Sequence, residues 1–501
     1  MTGAEKRAFS LLYAPTAASK KQPIYLRLFQ TLSGNKDELP EFTDEVSSQV
    51  YTIGKKSLFN NIMKSLRIFH QETSVEIIIQ NHLSEIEILY NRSLPEQSLY
   101  ILNKAYHLAA GFEKFGLLLQ ILEWEGKLNI IMDNPPRSIE AIAKEEREVL
   151  RKLTQITELE HIYNTARKMK KEYGYINGKM KKDLEQKTIK APGMITYEQC
   201  NSPKAKFYFS FIYALYYWMT FDHEKSYMHS KYLISATVSN ILSHDYIDGI
   251  LHYTTTSLCI GYFMETQEAL ALTDDYIKRH KLNLPIAFKI KLIYYKICCN
   301  MIIHIFIGEL MELKKVIMDV EEKLELYEDK FTGEMRQVIL GNLRNAYVAS
   351  GDMDHADKIM NLLFRKESKM SRKNVYDGLY LFRLFSLLQN RAFALVPPAA
   401  LSSLRYYKSE QNKDNQFILE QKIASVLMKE IDYEDTSAYH GLLRLVEQYL
   451  TEHLSGLSGI NNFQEYYTFY VIWVRSIYTQ EPFYVQAGKW YKDFVKQKVS
   501  D

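Results

Sequence analysis

A helical hairpin spans residues 342 to 364, where the sequence reads NLRNAYVASGDMDHADKIMNLLF. Leu343 and Tyr347 fall on one face of a first helix, and Gly351 interrupts that helix. A second apolar stripe at helical spacing begins at Ala356, which indicates two amphipathic helices joined by a turn. Two helices approach closely where one side chain is short, so Ala356 marks their contact. The stretch predicts a helix-turn-helix pair.

Residues in the position of Ala356 recur along the chain in steps of 43 or 44. Most of them are small, and in the larger carboxy-terminal part they are Ser226, Ala269, Leu313, Ala356, Ala400, Leu443 and Ala487. Upstream, Ser98 and Ala141 stand 43 residues apart in the same register. A fixed step of this length is typical of helical-repeat proteins, because each hairpin buries its apolar stripe only by stacking on the next.

Signals for β-strands are scarce, since alternating runs are few and the chain has only 20 glycines. The repeat length leaves room for two helices of about 18 residues with short turns. The sequence therefore predicts an all-α protein, built as a right-handed α-α solenoid of helical hairpins with a period of about 43 residues. Its helix content is expected to exceed about 65%, well above the usual third.

The offsets of Tyr347, Gly351, Asp352 and Ala356 resemble the tetratricopeptide repeat, which carries a Tyr, a Gly-Asp pair and an Ala in those places. The unit here is longer and most copies lack the Gly-Asp pair, so the resemblance is to a degenerate, long-helix form. It implies a solenoid that binds another protein or a peptide.

Segments of the amino-terminal part resemble a group of uncharacterised bacterial helical-repeat proteins. They read TGAEKRAF at 2 to 9, YLRLF at 25 to 29, IMKSLRIF at 62 to 69 and EILYNRSLPEQSLYILNKAYHLA at 87 to 109. This second resemblance implies a bacterial source and a helical fold, and it implies no activity.

Four parts follow from the register and its interruptions. Residues 1–75 are predicted as an amino-terminal helical cap, with helices near 3–13, 23–33, 37–48 and 51–70. A first repeat segment covers 76–165, a basic irregular linker covers 166–203, and a second repeat array covers 204–501. The alternative for the cap is a helix-turn-helix DNA reader, because several short helices occur together there.

The linker contains a basic run from 167 to 190 with nine Lys or Arg residues against three Asp or Glu. Such a run is a candidate for phosphate contacts or a solvated surface. The residues singled out are Arg167, Lys168, Lys170, Lys171, Lys181 and Lys182. Gly174 and Gly178 weaken a helix through this segment.

The helix predicted over residues 206 to 221 reads KFYFSFIYALYYWMTF and is apolar all the way round. A solenoid helix that is exposed to solvent should have one polar face. Aligning Ser226 with Ala356 turns four residues towards the concave side as an aromatic floor for a partner, namely Tyr208, Phe211, Leu215 and Trp218. The alternative is that the irregular segment before residue 203 covers this helix and makes the four residues core.

Catalytic and cofactor motifs are lacking. The four cysteines, Cys200, Cys259, Cys298 and Cys299, show no CxxC spacing and are expected to be reduced and mostly buried. His244, Asp245 and His252 lack further ligands at metal-binding spacing. We therefore expect no metal, no cofactor and no enzymatic activity.

Charge and hydropathy limit the compartment and the partners. The net charge of +3 provides no overall attraction to nucleic acid or to anionic lipid. The longest uninterrupted apolar run, from 207 to 221, is shorter than the roughly 20 residues of a membrane span. These features predict a cytoplasmic protein without membrane insertion.

Two functions fit these expectations. The first is a non-enzymatic scaffold or adaptor that binds a protein or peptide in the groove of a tetratricopeptide-like solenoid. The alternative is a ligand-sensing regulator whose amino-terminal segment binds nucleic acid.

Overall fold

Helices form nearly the whole structure. The computed structural model describes residues 1–13, 23–33, 48–70, 74–176, 178–235, 243–365, 373–409, 417–429, 435–456 and 464–500. Helix accounts for 83% of it, and these residues contain no strand. The prediction of an all-α protein is confirmed. The chain divides into two compact units, Met1–Thr157 and Glu158–Asp501.

The amino-terminal unit begins with a capped helix. The Thr2 side chain accepts from the backbone N–H of Glu5 and the Glu5 carboxylate accepts from that of Thr2, which forms a capping box. Phe9 stacks on Phe29 with ring centroids 4.0 Å apart in a small core. The predicted helix at 37–48 lies almost entirely outside the described residues. The helices are α1 (Gly3–Leu12), α2 (Ile24–Ser33), α3 (Ser48–Phe69), α4 (Val75–Asn91), α5 (Pro95–Gly111), α6 (Phe115–Ile131) and the first part of α7 (Ile139–Tyr173).

The carboxy-terminal unit contains the rest of α7 and fifteen further helices among the described residues. Consecutive helices mostly pack against each other. The helices are α8 (Gly178–Lys187), α9 (Pro203–Met219), α10 (His223–Ser235), α11 (Ser243–Cys259), α12 (Phe263–Arg279), α13 (Ile286–Ile307), α14 (Leu310–Leu326), α15 (Gly333–Ser350), α16 (Met353–Arg365), α17 (Lys373–Gln389), α18 (Val396–Tyr407), α19 (Ile418–Leu427), α20 (Thr436–Gly456), α21 (Glu465–Thr479) and α22 (Phe483–Ser500).

The small residues of the predicted register lie at helix contacts. Of the nine register positions, eight are buried and lie in the first half of a helix. These eight are Ser98, Ser226, Ala269, Leu313, Ala356, Ala400, Leu443 and Ala487. The two serines also join the helices of a hairpin, since Ser226 Oγ donates to the carbonyl of Ala214 at 2.6 Å and Ser98 Oγ donates to that of Ile86 at 3.1 Å. Ala141 is exposed, so its place in the register was wrong.

The hairpin of residues 342 to 364 is formed by α15 and α16. Helix α15 begins after the capping residue Thr332 and ends at Gly351, whose φ of +88° is left-handed. The N–H of Asp352 donates to the carbonyl of Tyr347 at 2.8 Å across this turn. Glycine adopts the left-handed conformation without steric cost, which explains the sharp break between the helices.

About half of the predicted irregular linker is helical. Helix α7 continues through Tyr173 and ends at Gly174, whose φ is +65°. Helix α8 follows, with a salt bridge of 2.7 Å between Lys187 and Asp183 one turn apart. The irregular part is confined mainly to residues 188–202. Helix α9 then begins where Ser202 Oγ accepts from the N–H of Ala205.

The last hairpin folds back over earlier helices. Helix α21 packs against α17, and α22 packs against both α13 and α15. Tyr491 of α22 lies 5.5 Å from the ring of Phe263, and Trp490 lies 5.6 Å from that of Phe306. In a simple solenoid each repeat contacts only its neighbours. These contacts therefore depart from the simple array that the sequence predicted.

Helix α13 is the one helix in the described part of the chain that is long and apolar enough to cross a membrane, by length and composition only. Half of its most apolar window is buried inside the protein. It packs against α14, α15 and α22. The core helix of a soluble protein has the same properties.

Candidate functional site

The four α9 residues expected to face a partner are buried. None of Tyr208, Phe211, Leu215 and Trp218 is more than 9% exposed. Helix α7 lies over them, with the ring of Tyr163 5.3 Å from Tyr208 and 4.7 Å from Phe211. Tyr175 stacks on Trp218 at 4.4 Å. The four side chains belong to the core, which corrects the expectation of an open aromatic floor.

The expected cover, the segment before residue 203, supplies part of this packing through Tyr175, and α7 supplies the rest. The irregular residues before α9 contact its other side, where Tyr197 lies 5.7 Å from the ring of Phe209. The hydroxyl of Tyr208 donates to Asp245 of α11 at 2.8 Å. Asp245, which the sequence raised as a metal ligand, is therefore a partner of a core tyrosine.

The six residues of the basic run do not form one surface. Arg167 donates to Asp248 at 2.9 Å, and Asp248 also accepts from Lys291 at 2.5 Å. Lys170 lies 4.3 Å over the ring of Trp218, with its Nζ 3.3 Å from Nδ1 of His252. The other four are exposed, namely Lys168, Lys171, Lys181 and Lys182. Two of the six charges thus serve contacts within the fold.

An arginine that the sequence patterns did not single out lies in the core shared by α15, α17 and α21. Arg344 of α15 is only 5% exposed. Its guanidinium lies 4.0 Å over the ring of Phe382 on α17. Tyr470 and Tyr466 of α21 lie against the same helix, since the Tyr470 hydroxyl donates to the carbonyl of Gly378 and a Cβ on Gly378 would lie 3.2 Å from the Tyr466 ring. These four residues are called the Arg344 site below.

Arg344 has no acidic partner in the part of the chain that the structure describes. No carboxylate of the described residues lies within ion-pair distance of it. Its Nε and Nη2 atoms donate to Oδ1 of Asn345 at 3.2 and 3.0 Å, while Nη1 is buried without any partner. Burial lowers the pKa of Arg344 from its usual value. A buried charge is normally paired, because removing it from water is costly.

Tyrosines form the wall of the Arg344 site on the side of α21. Burial raises the pKa of Tyr470 to about 12, and its hydroxyl donates to the carbonyl of Gly378 at 3.4 Å. Tyr466 keeps 36% of its surface exposed, although burial raises its pKa well above the usual value. Tyr466 is therefore the most exposed of the four residues of the site.

A cavity of about 450 Å³ lies at the turn ends of the same helices. Val348 of α15 lines it, one helical turn beyond Arg344. Leu388 of α17 and Trp473 of α21 line it as well. None of the four residues of the Arg344 site lines this cavity.

Two carboxyl groups on the last helices are also poorly paired. Glu420 of α19 is 3% exposed; its Oε1 accepts from Tyr467 at 2.9 Å and its Oε2 has no partner. Glu465 is the first residue of α21. Burial raises the pKa of each carboxyl to about 7. Glu420 also acts on the pKa of Tyr470, so additional negative charge on that side of the site is disfavoured.

The cysteines carry no sign of nucleophilic chemistry. Burial raises the pKa of all four thiols, that of Cys200 to about 11 and that of Cys259 to about 12, so they are protonated at neutral pH. All four are free. Within the described residues, no group of three or more His, Cys, Asp and Glu side chains is arranged to hold a metal.

The fold defines a class, an all-α protein of packed helical hairpins with a buried unpaired arginine. No family model, no curated protein and no solved structure matches the chain. The likeness to tetratricopeptide repeats remains a prediction.

The sequence did contain a signal for Arg344. It lies three residues after Gly341 and four before Val348, and both are buried on the same face of α15. A charged residue on the apolar face of a helix indicates either a buried ion pair or a site. The hairpin pattern instead predicted that Leu343 and Tyr347 lie on the apolar face of this helix.

Proposed function

We propose that the carboxy-terminal unit is a non-enzymatic scaffold that binds a peptide, free or part of another protein, through a carboxylate at Arg344. In this proposal the hairpins form a tetratricopeptide-like right-handed solenoid with a step of about 43 residues, and the last hairpin folds back over it. The buried register positions and the contacts of α22 support this arrangement.

The observation that carries the proposal is the unpaired guanidinium of Arg344. A buried ion without a counter-ion destabilises a fold by several kcal/mol, whereas an apolar residue of similar volume does not. An arginine in such a place is explained by an anion that binds there. Its Nη1 is the donor without a partner in the structure.

A carboxylate fits this site better than a phosphate group does. One guanidinium neutralises one negative charge and matches the planar carboxylate. A phosphate dianion would bring a second negative charge towards Glu420, whose pKa burial already raises to about 7 and whose charge acts on Tyr470 of the site. The rings of Phe382, Tyr466 and Tyr470 suit the apolar part of a peptide, since aromatic residues supply much of the affinity at interfaces.

The test compares two peptide pools on the immobilised full-length protein. Both contain mixed hexapeptides without Asp, Glu, Lys, Arg or His and with an acetylated amino terminus; one pool ends in a free carboxylate and the other in an amide. We expect mass spectrometry to find the free acids retained about tenfold more, as for one charge-assisted hydrogen bond.

The matched variants are Arg344→Met and Arg383→Met. Arg383 is exposed on α17 and should leave the preference for free acids unchanged. Arg344→Met should abolish it. Equal retention of acids and amides by the wild-type protein, or an unchanged preference in Arg344→Met, refutes the proposed function.

A further inference from the structure

The cavity at the turn ends of α15, α17 and α21 has an apolar floor. Trp473, Leu388 and Phe483 line it, and none of them is more than 5% exposed. The indole N–H of Trp473 donates to Oε1 of Gln389 at 3.3 Å. The hydroxyl of Tyr439, which also lines the cavity, donates to the carbonyl of Leu388 at 2.9 Å. Because these polar atoms are paired within the fold, the floor presents mainly apolar surface to a ligand.

The charge that the cavity offers to a ligand is positive. Arg391 and Glu481 both line it. Lys489 Nζ lies 2.7 Å from Oε1 and 2.6 Å from Oε2 of Glu481, so that carboxylate is neutralised. The guanidinium of Arg391 makes no hydrogen bond and no ion pair with any residue that the structure describes. Arg391 is therefore available to an anion.

Two neutral donors line the same cavity. Since Oε1 of Gln389 is occupied by the indole N–H of Trp473, the amide NH₂ group of Gln389 remains available as a donor. His440 is half-buried, and its ring nitrogens make no hydrogen bond to the described residues. An imidazole carries at least one N–H in either protonation state. The lining thus combines one cation with two further donors above an apolar floor.

We infer that this cavity binds a phosphate monoester with a small apolar or aromatic body. The phosphate accepts hydrogen bonds from Arg391, Gln389 and His440, and the body lies on the apolar floor. The volume of about 450 Å³ is within the range of about 300–1,000 Å³ that is usual for small-molecule sites. The inference does not rest on the proposed function, because the Arg344 site does not line this cavity.

A phosphate group fits this cavity better than a carboxylate does. A carboxylate has two oxygens, whereas a phosphate monoester has three terminal oxygens that can accept from three side chains. Arg391 and Gln389 are exposed, so a dianion bound there keeps part of its hydration. The acidic residue of the lining, Glu481, is already paired with Lys489 and repels it little.

The experiment titrates the full-length protein with phenyl phosphate and measures the dissociation constant by calorimetry. We expect saturable binding in the millimolar range or tighter, and we expect inorganic phosphate to bind at least about tenfold more weakly, because it lacks the apolar body. Arg391→Met should weaken the binding of phenyl phosphate by about tenfold or more, since a charge-assisted hydrogen bond is lost.

Two controls assign the binding to this cavity. Arg383→Met removes an exposed arginine of α17 that does not line the cavity, and Arg344→Met removes the arginine of the other site. Both should bind phenyl phosphate as the wild-type protein does. His440→Phe keeps an aromatic ring and removes the N–H, so it should weaken binding by about fivefold, as for one neutral hydrogen bond. Circular dichroism verifies that each variant is folded.

The inference is overturned if the wild-type protein does not bind millimolar phenyl phosphate, or if inorganic phosphate binds as tightly. It is also overturned if Arg391→Met or His440→Phe keeps the wild-type affinity. A loss of affinity in Arg344→Met would assign the phosphate to the Arg344 site and would equally refute it. The preference for free acids that tests the proposed function is measured in separate variants, so either site can fail alone.

Discussion

Among single residues, the carboxy-terminal unit pairs some of its buried charges and leaves others unpaired. Asp248 is 9% exposed and accepts from both Arg167 and Lys291. Arg475 donates two hydrogen bonds to Glu447, one of 2.8 Å and one of 2.5 Å. Arg344 is less exposed than either arginine and has no carboxylate partner among the described residues. The proposed carboxylate ligand would account for this contrast within one unit.

The first prediction concerns the stability of Arg344→Met. Without ligand, this variant should be as stable as the wild-type protein or more stable by about 1–4 kcal/mol, because an apolar side chain replaces an unpaired charge. Chemical denaturation followed by circular dichroism measures the free energy of unfolding. A loss of stability would show that Arg344 supports the fold.

Arg475→Met is the matched control for that prediction. It removes an arginine that is paired, and it leaves Glu447 with the hydroxyl of Tyr478 as a remaining donor at 2.7 Å. We expect this variant to be destabilised by about 1–3 kcal/mol, because one partner of a charge-assisted pair is lost. The two substitutions are the same, so their opposite signs would isolate the effect of pairing.

The second prediction concerns Glu420 and pH. Burial raises its pKa from 4.5 to about 7, so the folded state binds more protons than the unfolded state between these values. Its contribution to stability is complete below pH 4.5 and is lost as the pH rises through about 7. The loss attributable to Glu420 is about 3 kcal/mol at most.

Glu420→Gln should therefore lose less stability than the wild-type protein when the pH is raised from 5 to 8. Urea denaturation at several pH values measures the difference, and Glu325→Gln, which alters an exposed carboxylate on α14, should follow the wild-type curve. Parallel curves for Glu420→Gln and the wild-type protein would mean that Glu420 titrates normally.

For the helices, the sequence predicted which faces are apolar but not which helix covers them. The turn at Gly351 and the burial of Ala356 follow from local spacing. The cover of α9 by α7, and that of α13 by α22, involve helices far apart in sequence. Periodicity identifies a buried face and contains no information about a distant partner, so these contacts were not predictable.

The third prediction tests the docking of α22 on α13. Gly308 ends α13 with φ of +78°, and a Cβ there would lie 2.5 Å from the backbone N of Gly488 and would also collide with the carbonyl of Tyr484. Gly308→Ala should therefore displace α22. An alanine in the left-handed conformation alone costs about 1–2 kcal/mol, and the loss in the free energy of unfolding should exceed this value. Thermal and urea denaturation measure this loss.

Gly351→Ala is the control for the third prediction. Its φ is also positive, at +88°, and nothing lies within 4 Å of the position that the added methyl group would occupy. This substitution should cost only the conformational penalty of about 1–2 kcal/mol. Equal losses for the two alanine variants would contradict the contact between α13 and α22.

For the molecule as a whole, the helical class was predictable from the sequence and the proposed functional centre was not. Hydrophobic periodicity and the scarcity of strand signals were sufficient to predict the all-α class. The second depends on α21, whose Tyr470 bonds to the carbonyl of Gly378 on α17 although 92 positions of the sequence separate the two residues. The groove expected at α9 is core, and the unpaired charge lies in a different part of the same unit.

The most direct test of the central claim is the melting temperature of the full-length protein with phenylacetate, a small aromatic carboxylate, or with its neutral amide. A ligand that binds only the folded state raises the melting temperature in proportion to its binding free energy. We predict that phenylacetate raises it, that phenylacetamide does not, and that Arg344→Met abolishes the difference while Arg383→Met retains it. An equal response to the acid and the amide in the wild-type protein, or an undiminished response to the acid in Arg344→Met, would contradict a carboxylate site at Arg344.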